Sequence, residues 1–285
     1  MVAAKKQNTE TFGMYAQPIF TKSFQGLTIT RDEFIVEVAI NRPDARNALS
    51  PTLMAELIEV ARALRLTPEI RAVILRGGPE FFSAGADLGN FKDRMASDAG
   101  LMALRKAVMS GPDLCRAWEE IEAVTIAAIE GFCIGGGCAL AVACDFRIMA
   151  EGSYMRLPEV PLGINMSWRS IPRITSLIGP ARAKRFIIFG QKADAATCLD
   201  WGFADELAPK GEAHLIARAW AERLADLPPL PVRMTKEAVN MAAGANHLAT
   251  SFMDRDQYLL ASRSEDFREG VSAFLEKRKP VFKGN

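Results

Sequence analysis

Two stretches of small residues carry the clearest chemical signal in the chain. In "GFCIGGGCALAVACD", Gly131 to Asp145, three consecutive glycines, Gly135 to Gly137, separate a strand-like segment from an apolar run of helical composition. The first four N–H groups of a helix have no internal partner and sit at the positive end of its dipole. With no β-carbons in the way a ligand oxygen can reach them, and a donor aimed at a developing oxyanion is worth about 2.7 to 4 kcal/mol in a transition state. A second bare turn follows another strand-like segment in "FFSAGADL", where Ala84-Gly85-Ala86-Asp87 leaves the Ala86 N–H open to approach. Alone, that turn reads as a tight surface turn with Asp87 as a helix cap. Together the two turns supply a pair of donors.

Other chemistries lack their residues. A phosphate loop needs Gly-Lys-Ser/Thr, whereas Cys138 and Ala139 follow Gly137, and a dinucleotide fingerprint begun at Gly135 would want Gly or Ala where Leu140 stands. There is no Gly-x-Ser-x-Gly elbow. The two histidines, His214 and His247, have no Cys or His neighbour at ligand spacing, so no metal site is expected. Glycines that only let a helix pack closely on a strand remain the bland reading of the triplet.

The elements that must hold these turns alternate. Phe34 to Ile40 is the first strand candidate, followed by the turn-like "NRPDARNALS". Ser50-Pro51 reads as an N-cap and first helical position for an amphipathic run to about Leu66. "RAVILRGG" predicts a second strand, Met109 to Ile121 a helix, and "VTIAAIEG" a third strand leading into the glycines. "FRIMAE" and "YMRLPE" read as short strands, and the chain beyond Ser167 as mainly helical, punctuated by Gly179-Pro180 and Gly190. Four helices are expected there after the last punctuation, over Glu212 to Leu224, Val232 to Ala243, His247 to Ser262 and Glu265 to Arg278. The division is an N-terminal extension (1–25), an α/β core (26–205) and a helical C-terminal region (206–285).

With 35 Lys+Arg against 34 Asp+Glu the formal net charge is +1, and no basic block is present to track a nucleic-acid backbone. Five cysteines without a Cys-x-x-Cys pair suit buried thiols in a reducing, cytoplasmic setting. The opening residues hold two lysines but no apolar run, so neither a secretory signal nor a membrane anchor is expected.

These motifs in this order resemble the enoyl-CoA hydratase/isomerase family, the crotonase superfamily. The resemblance runs from about Phe34 to the C-terminus through "NRPDARNALS", "FFSAGADL", "IEGFCIGGGCALAVACDFRIMAE", "LPEVPLGI", "GPARAKRFIIFG" and "REGVSAFLEKRKPVF". It implies an α/β spiral of repeated ββα units with a helical C-terminal trimerisation region, assembled as a homotrimer or a dimer of trimers. It implies an acyl-CoA substrate whose thioester oxygen is held by the N–H groups of Ala86 and Gly136, with no permanently bound cofactor and coenzyme A arriving as part of the substrate. Ala45, Arg46, Ala48, Ala84, Asp87 and Leu88 match CoA-contact positions, and Tyr258 and Lys277 match late positions near the CoA nucleotide.

Hydratases of the family usually carry two glutamates. Glu159, in "RLPEVPLG", matches the second, and Ala139 stands where the first would be. Adding water needs one group to activate it and a proton for carbon, whereas one carboxylate beside an oxyanion hole suits proton shuttling. The resemblance therefore implies double-bond isomerisation with Glu159 as the shuttle. Hydration of a 2-enoyl-CoA and a silent CoA-binding protein are the alternatives. Ala139, Asn165, Met166 and Trp168 are expected at the acyl pocket, the last three from "GINMSWRS", where many members are glycine-rich. An apolar pocket should push the pKa of Glu159 up toward neutrality.

Overall fold

The computed structural model describes residues 18–87 and 100–285. The strands form two sheets. The larger has strand order β1-β2-β3-β5-β7-β10, from β1 (Leu27–Asp32), β2 (Ile35–Ile40), β3 (Ala72–Arg76), β5 (Val124–Ile129), β7 (Phe146–Ala150) and β10 (Glu206–Ala208). The smaller has order β4-β6-β8-β9, from β4 (Phe81–Ser83), β6 (Phe132–Ile134), β8 (Tyr154–Arg156) and β9 (Ala193–Asp194).

The chain alternates between the sheets. Each of β3, β5 and β7 lies in the large sheet and is followed by a short strand of the small one, then by helix: α3 (Leu101–Ala107) and α4 (Ser110–Glu119), α5 (Gly136–Ala141), and α6 (Ser170–Phe189). This is the repeated ββα unit. β2, β3, β5, β7 and β10 pair in parallel, with Ile74 opposite Ile126 and Ala128 opposite Ile148. Such strands are covered on both faces, and "VTIAAI" is buried at every position of β5.

One face of the large sheet packs on α2 (Pro51–Arg65), α4 and α5 around Leu57, Val73, Leu75 and Trp118. Ser50 caps α2 as its hydroxyl accepts from the Leu53 N–H at 3.2 Å. After α7 (Ala195–Trp201), the other face carries α8 (Ala213–Ala225), whose Ala213, Ala217 and Ala221 lie four apart on one stripe and bring the helix close to Ile74, Ile126 and Ile148. Glu130 accepts from the Gly211 and Ala213 N–H groups at 3.1 and 3.0 Å, fastening the start of α8 to the end of β5.

Several expectations needed adjustment. Phe34–Ile40 belongs to the second strand; β1 precedes it as the antiparallel arm of a hairpin, hidden in the sequence because it is an edge whose last three residues are exposed. The long helix expected over 247–262 is two, α10 (His247–Ser251) and α11 (Asp254–Ala261). The helix after "LADLPPLP" is α9 (Pro229–Gly244), which starts earlier because proline is tolerated in a first turn. Gly179 breaks the helical backbone of α6 at φ +76°, as its punctuation predicts. Residues 18–21 form a short helix, α1 (Pro18–Thr21), and Ile19 is buried in the core although it precedes residue 26. Among the described residues no helix is long and apolar enough to cross a membrane.

Candidate active site

Three turns meet where the small sheet ends. β6 delivers Gly135, at φ +53° and ψ −120°, a conformation open to glycine, and its N–H donates to the Arg156 carbonyl at 2.9 Å. Gly136 then opens α5. β4 delivers Gly85 at φ +89°, so close that a β-carbon there would lie 2.7 Å from the Ile134 carbonyl oxygen and 3.3 Å from the Gly136 nitrogen. The two glycine turns expected from the sequence are therefore in contact.

The first loop is tied to the β4 turn. Asn47 sits at φ +56°, accepts from the Arg42 N–H at 2.8 Å and donates to the Phe82 carbonyl at 3.2 Å. The Ser83 hydroxyl donates to the Asn47 carbonyl at 2.8 Å and accepts from the Gly85 N–H at 3.1 Å. Ala84 donates to the Arg46 carbonyl and Leu49 to the Gly85 carbonyl. Leu49 thus bonds the residues flanking Ala86, which turns the Ala86 N–H away from it. Ala45, Arg46, Ala48, Ala84 and Asp87 are gathered at one edge, with Asp87 3.4 Å from the Arg42 guanidinium. Leu88 lies outside the described residues. Among the described residues neither the Ala86 nor the Gly136 N–H makes a hydrogen bond, which leaves two donors free at adjoining turns.

Glu159 ends the "RLPE" stretch after β8 and begins a single 3-10 turn (Val160–Leu162) closed by Gly163 at φ +83°. Its carboxylate lies beside the glycines: a β-carbon on Gly135 would be 2.8 Å from Oε1. Oε2 is buried with no hydrogen-bond partner. Burial pushes the Glu159 pKa from 4.5 up to about 7, with its own backbone N–H and Arg156 pulling weakly the other way. The Arg156 guanidinium is held by the Gly190 carbonyl at 2.8 Å, a partner of its own. A carboxyl group poised near neutrality, beside two unspent N–H donors, can take and return a proton at carbon.

Glu159, Ala86 and Gly136 line one cavity of about 150 Å³. Asn165, Met166, Trp168 and Tyr258 line it too, as do Phe267, Phe274 and Leu275 of α12 (Glu265–Glu276). The C-terminal helix lies over the site because glycines clear its path: a β-carbon on Gly270 would meet the Leu162 carbonyl oxygen at 2.4 Å, and one on Gly163 the Phe267 Cα at 2.8 Å. This wall is absent from the expected site residues, and Phe267 and Phe274, seven apart on an amphipathic helix, are its signal in the sequence. Asn47 and Ser83 are absent from them as well.

Two expected residues stand elsewhere. Ala139 lines neither this cavity nor a second one of about 470 Å³ on the other side of Trp168; it is fully buried among apolar side chains within α5, a helix buried along its whole length. Lys277 is the exposed, left-handed C-cap of α12 and lines neither cavity.

The family model described as enoyl-CoA hydratase/isomerase matches residues 30–285. The chain belongs to the enoyl-CoA hydratase/isomerase family. Within that family it is 33% identical to a probable enoyl-CoA hydratase, echA8, of Mycobacterium bovis, over 91% of this chain and 98% of the relative. It is 34% identical to the enoyl-CoA isomerase/hydratase fer4 of Mycosarcoma maydis, over 88% of this chain and 93% of the relative. Its fold superposes on a crystal structure of carnitinyl-CoA hydratase from Mycobacterium avium with a TM-score of 0.80 and 29% identity, covering 92% of this chain and all of that one. An acyl-CoA substrate is consistent with membership in that family.

Proposed function

We propose that this enzyme isomerises the double bond of an enoyl-CoA, with Glu159 as the single proton shuttle. The thioester oxygen accepts from the Ala86 and Gly136 N–H groups. Glu159 takes a proton from C2 of a 3-enoyl-CoA, the electrons spread over a dienolate whose oxygen the two donors hold, and the proton returns at C4 to give the 2-enoyl-CoA. The observation carrying this reading is the buried, unpartnered Glu159 Oε2 beside two free N–H donors, the only carboxylate among the described residues that line the cavity.

CoA runs past Ala45, Arg46, Ala48, Ala84, Asp87 and Leu88, with Tyr258 and Lys277 toward its nucleotide end, and leaves with the product because no group binds it permanently. The active assembly is a homotrimer or a dimer of trimers in the cytoplasm. Supporting an assembly, α9 buries none of its residues within the chain and exposes Leu230, Met234, Val239 and Met241.

A second reading, hydration, has its own support. The Asn165 Oδ1 is also buried without a partner, in the same cavity as Glu159 Oε2, and a water could donate to both acceptors. The curated relatives include proteins named hydratases. Supplying the enzyme with 3-enoyl-CoA and 2-enoyl-CoA in separate assays decides between them. Isomerisation is expected to be the faster; faster hydration would reverse the order, and no turnover of either would favour a CoA-binding protein without activity.

A further inference from the structure

We propose that the Trp168 indole is a partition that limits the acyl chain to about six carbons, a deepening of the reading above that rests on the acyl group entering the Glu159 cavity. A space of roughly 150 Å³ holds a benzene-sized group, and that is the volume of the cavity containing Glu159. Trp168 is also a wall of a second cavity of about 470 Å³, which shares Ala86, Ser167 and Tyr258 with the first but excludes Glu159. The indole is therefore a common wall, and a chain that outgrows the small chamber in the direction of the larger cavity has to pass it.

The ring is built in from several sides. A β-carbon on Gly111 would lie 2.1 Å from its Cε2, and one on Gly136 would lie 2.6 Å from its Cη2, so α4 and α5 each place a glycine where the indole packs. Its backbone is forced: Trp168 and Arg169 both lie in the left-handed region, at φ +63° and +55°, which disfavours residues with a β-carbon. Buried charges hold that turn. The Arg169 N–H donates to Asp254 Oδ2 at 2.8 Å, and Arg173 donates to the Arg169 carbonyl at 2.9 Å while paired with Glu119. Asp254 and Arg173 are only 5% and 6% exposed. A side chain so braced is a fixed barrier rather than a mobile flap.

Calorimetric binding of saturated butanoyl-, hexanoyl-, decanoyl- and dodecanoyl-CoA, which have no double bond to shift, reads the barrier without turnover. Wild type should bind hexanoyl-CoA at least ~10-fold more tightly than dodecanoyl-CoA, Trp168→Gly should bring that ratio close to one, and Trp168→Leu should lie between. Glycine suits the left-handed backbone, and should that variant fail to fold, the Leu variant and the wild-type series still decide. A wild type indifferent to chain length, or folded variants with the wild-type preference, overturns the partition. Enoyl-CoA turnover assayed in parallel separates the two claims: turnover without a length limit removes only the partition, and a length limit without turnover removes only the isomerase reading.

Discussion

Replacing Glu159 by Gln should cut turnover by about 10²- to 10⁴-fold, the range of a positioned general base, and also make the protein more stable above neutral pH. The first effect follows because the amide fills the same space but cannot accept a proton from carbon. In wild type the base must be ionised, so the rate should rise with pH to a plateau above about 7, where burial has moved the carboxyl. The second effect follows from the same burial. Unfolded, Glu159 ionises near 4.5; folded, it holds its proton to about 7. As pH rises between these values the unfolded chain gives up a proton that the folded one keeps, so folding is progressively penalised. The penalty is complete above about 7 and corresponds to about 3 kcal/mol. Denaturant unfolding at about pH 8 should therefore favour the Gln variant, and the difference should vanish near pH 4. Equal stability at both pH values would mean that the carboxylate is not desolvated.

Gly136 tests the other half of the site. Gly136→Pro deletes one N–H donor and should cost at least ~10²-fold in kcat. Any β-carbon at this position also meets the Trp168 ring at 2.6 Å, so a second variant is needed. Gly136→Ala imposes the same crowding while keeping the N–H. The alanine variant should lose activity because it displaces the braced Trp168 ring, and the proline variant should fall well below it; equal losses would assign the effect to displacement of Trp168 and not to the missing donor.

The parts of this fold most legible in the sequence were those set by strong local signals. Ser50-Pro51 announces α2, "VTIAAI" a strand buried on both faces, and Gly179 and Gly190 interruptions of helix. Of the small sheet only β8 shows, in "YMRLPE"; β4 and β6 have three residues each and β9 two, too few for an alternation to show. β1 was hidden by its exposed "TRD" end.

The site divides the same way. Gly85, Gly135 and Gly136 could be noticed because bare backbone at two strand ends is unusual, and Glu159 because it sits in a block resembling the family. The sequence showed an alanine at position 139, but not that the alanine is sealed in the core while Trp168 covers the neighbouring glycine. The αL bends at Asn47 and at Trp168-Arg169 are held by Phe82 and Asp254, residues 35 and 85 positions away along the chain, and only the Arg173 bond to the Arg169 carbonyl is local. Such long-range contacts leave no local trace.

The central claim is that Glu159 moves a proton at the carbon next to a thioester held by Ala86 and Gly136. Exchange of the C2 protons of a bound saturated acyl-CoA into deuterium oxide, followed by mass spectrometry, measures that step without any later chemistry. Wild type should exchange, faster as pH passes through about 7, and Glu159→Gln should not. Exchange undiminished in the Gln variant, or absent in wild type with every acyl-CoA tried, would contradict the account.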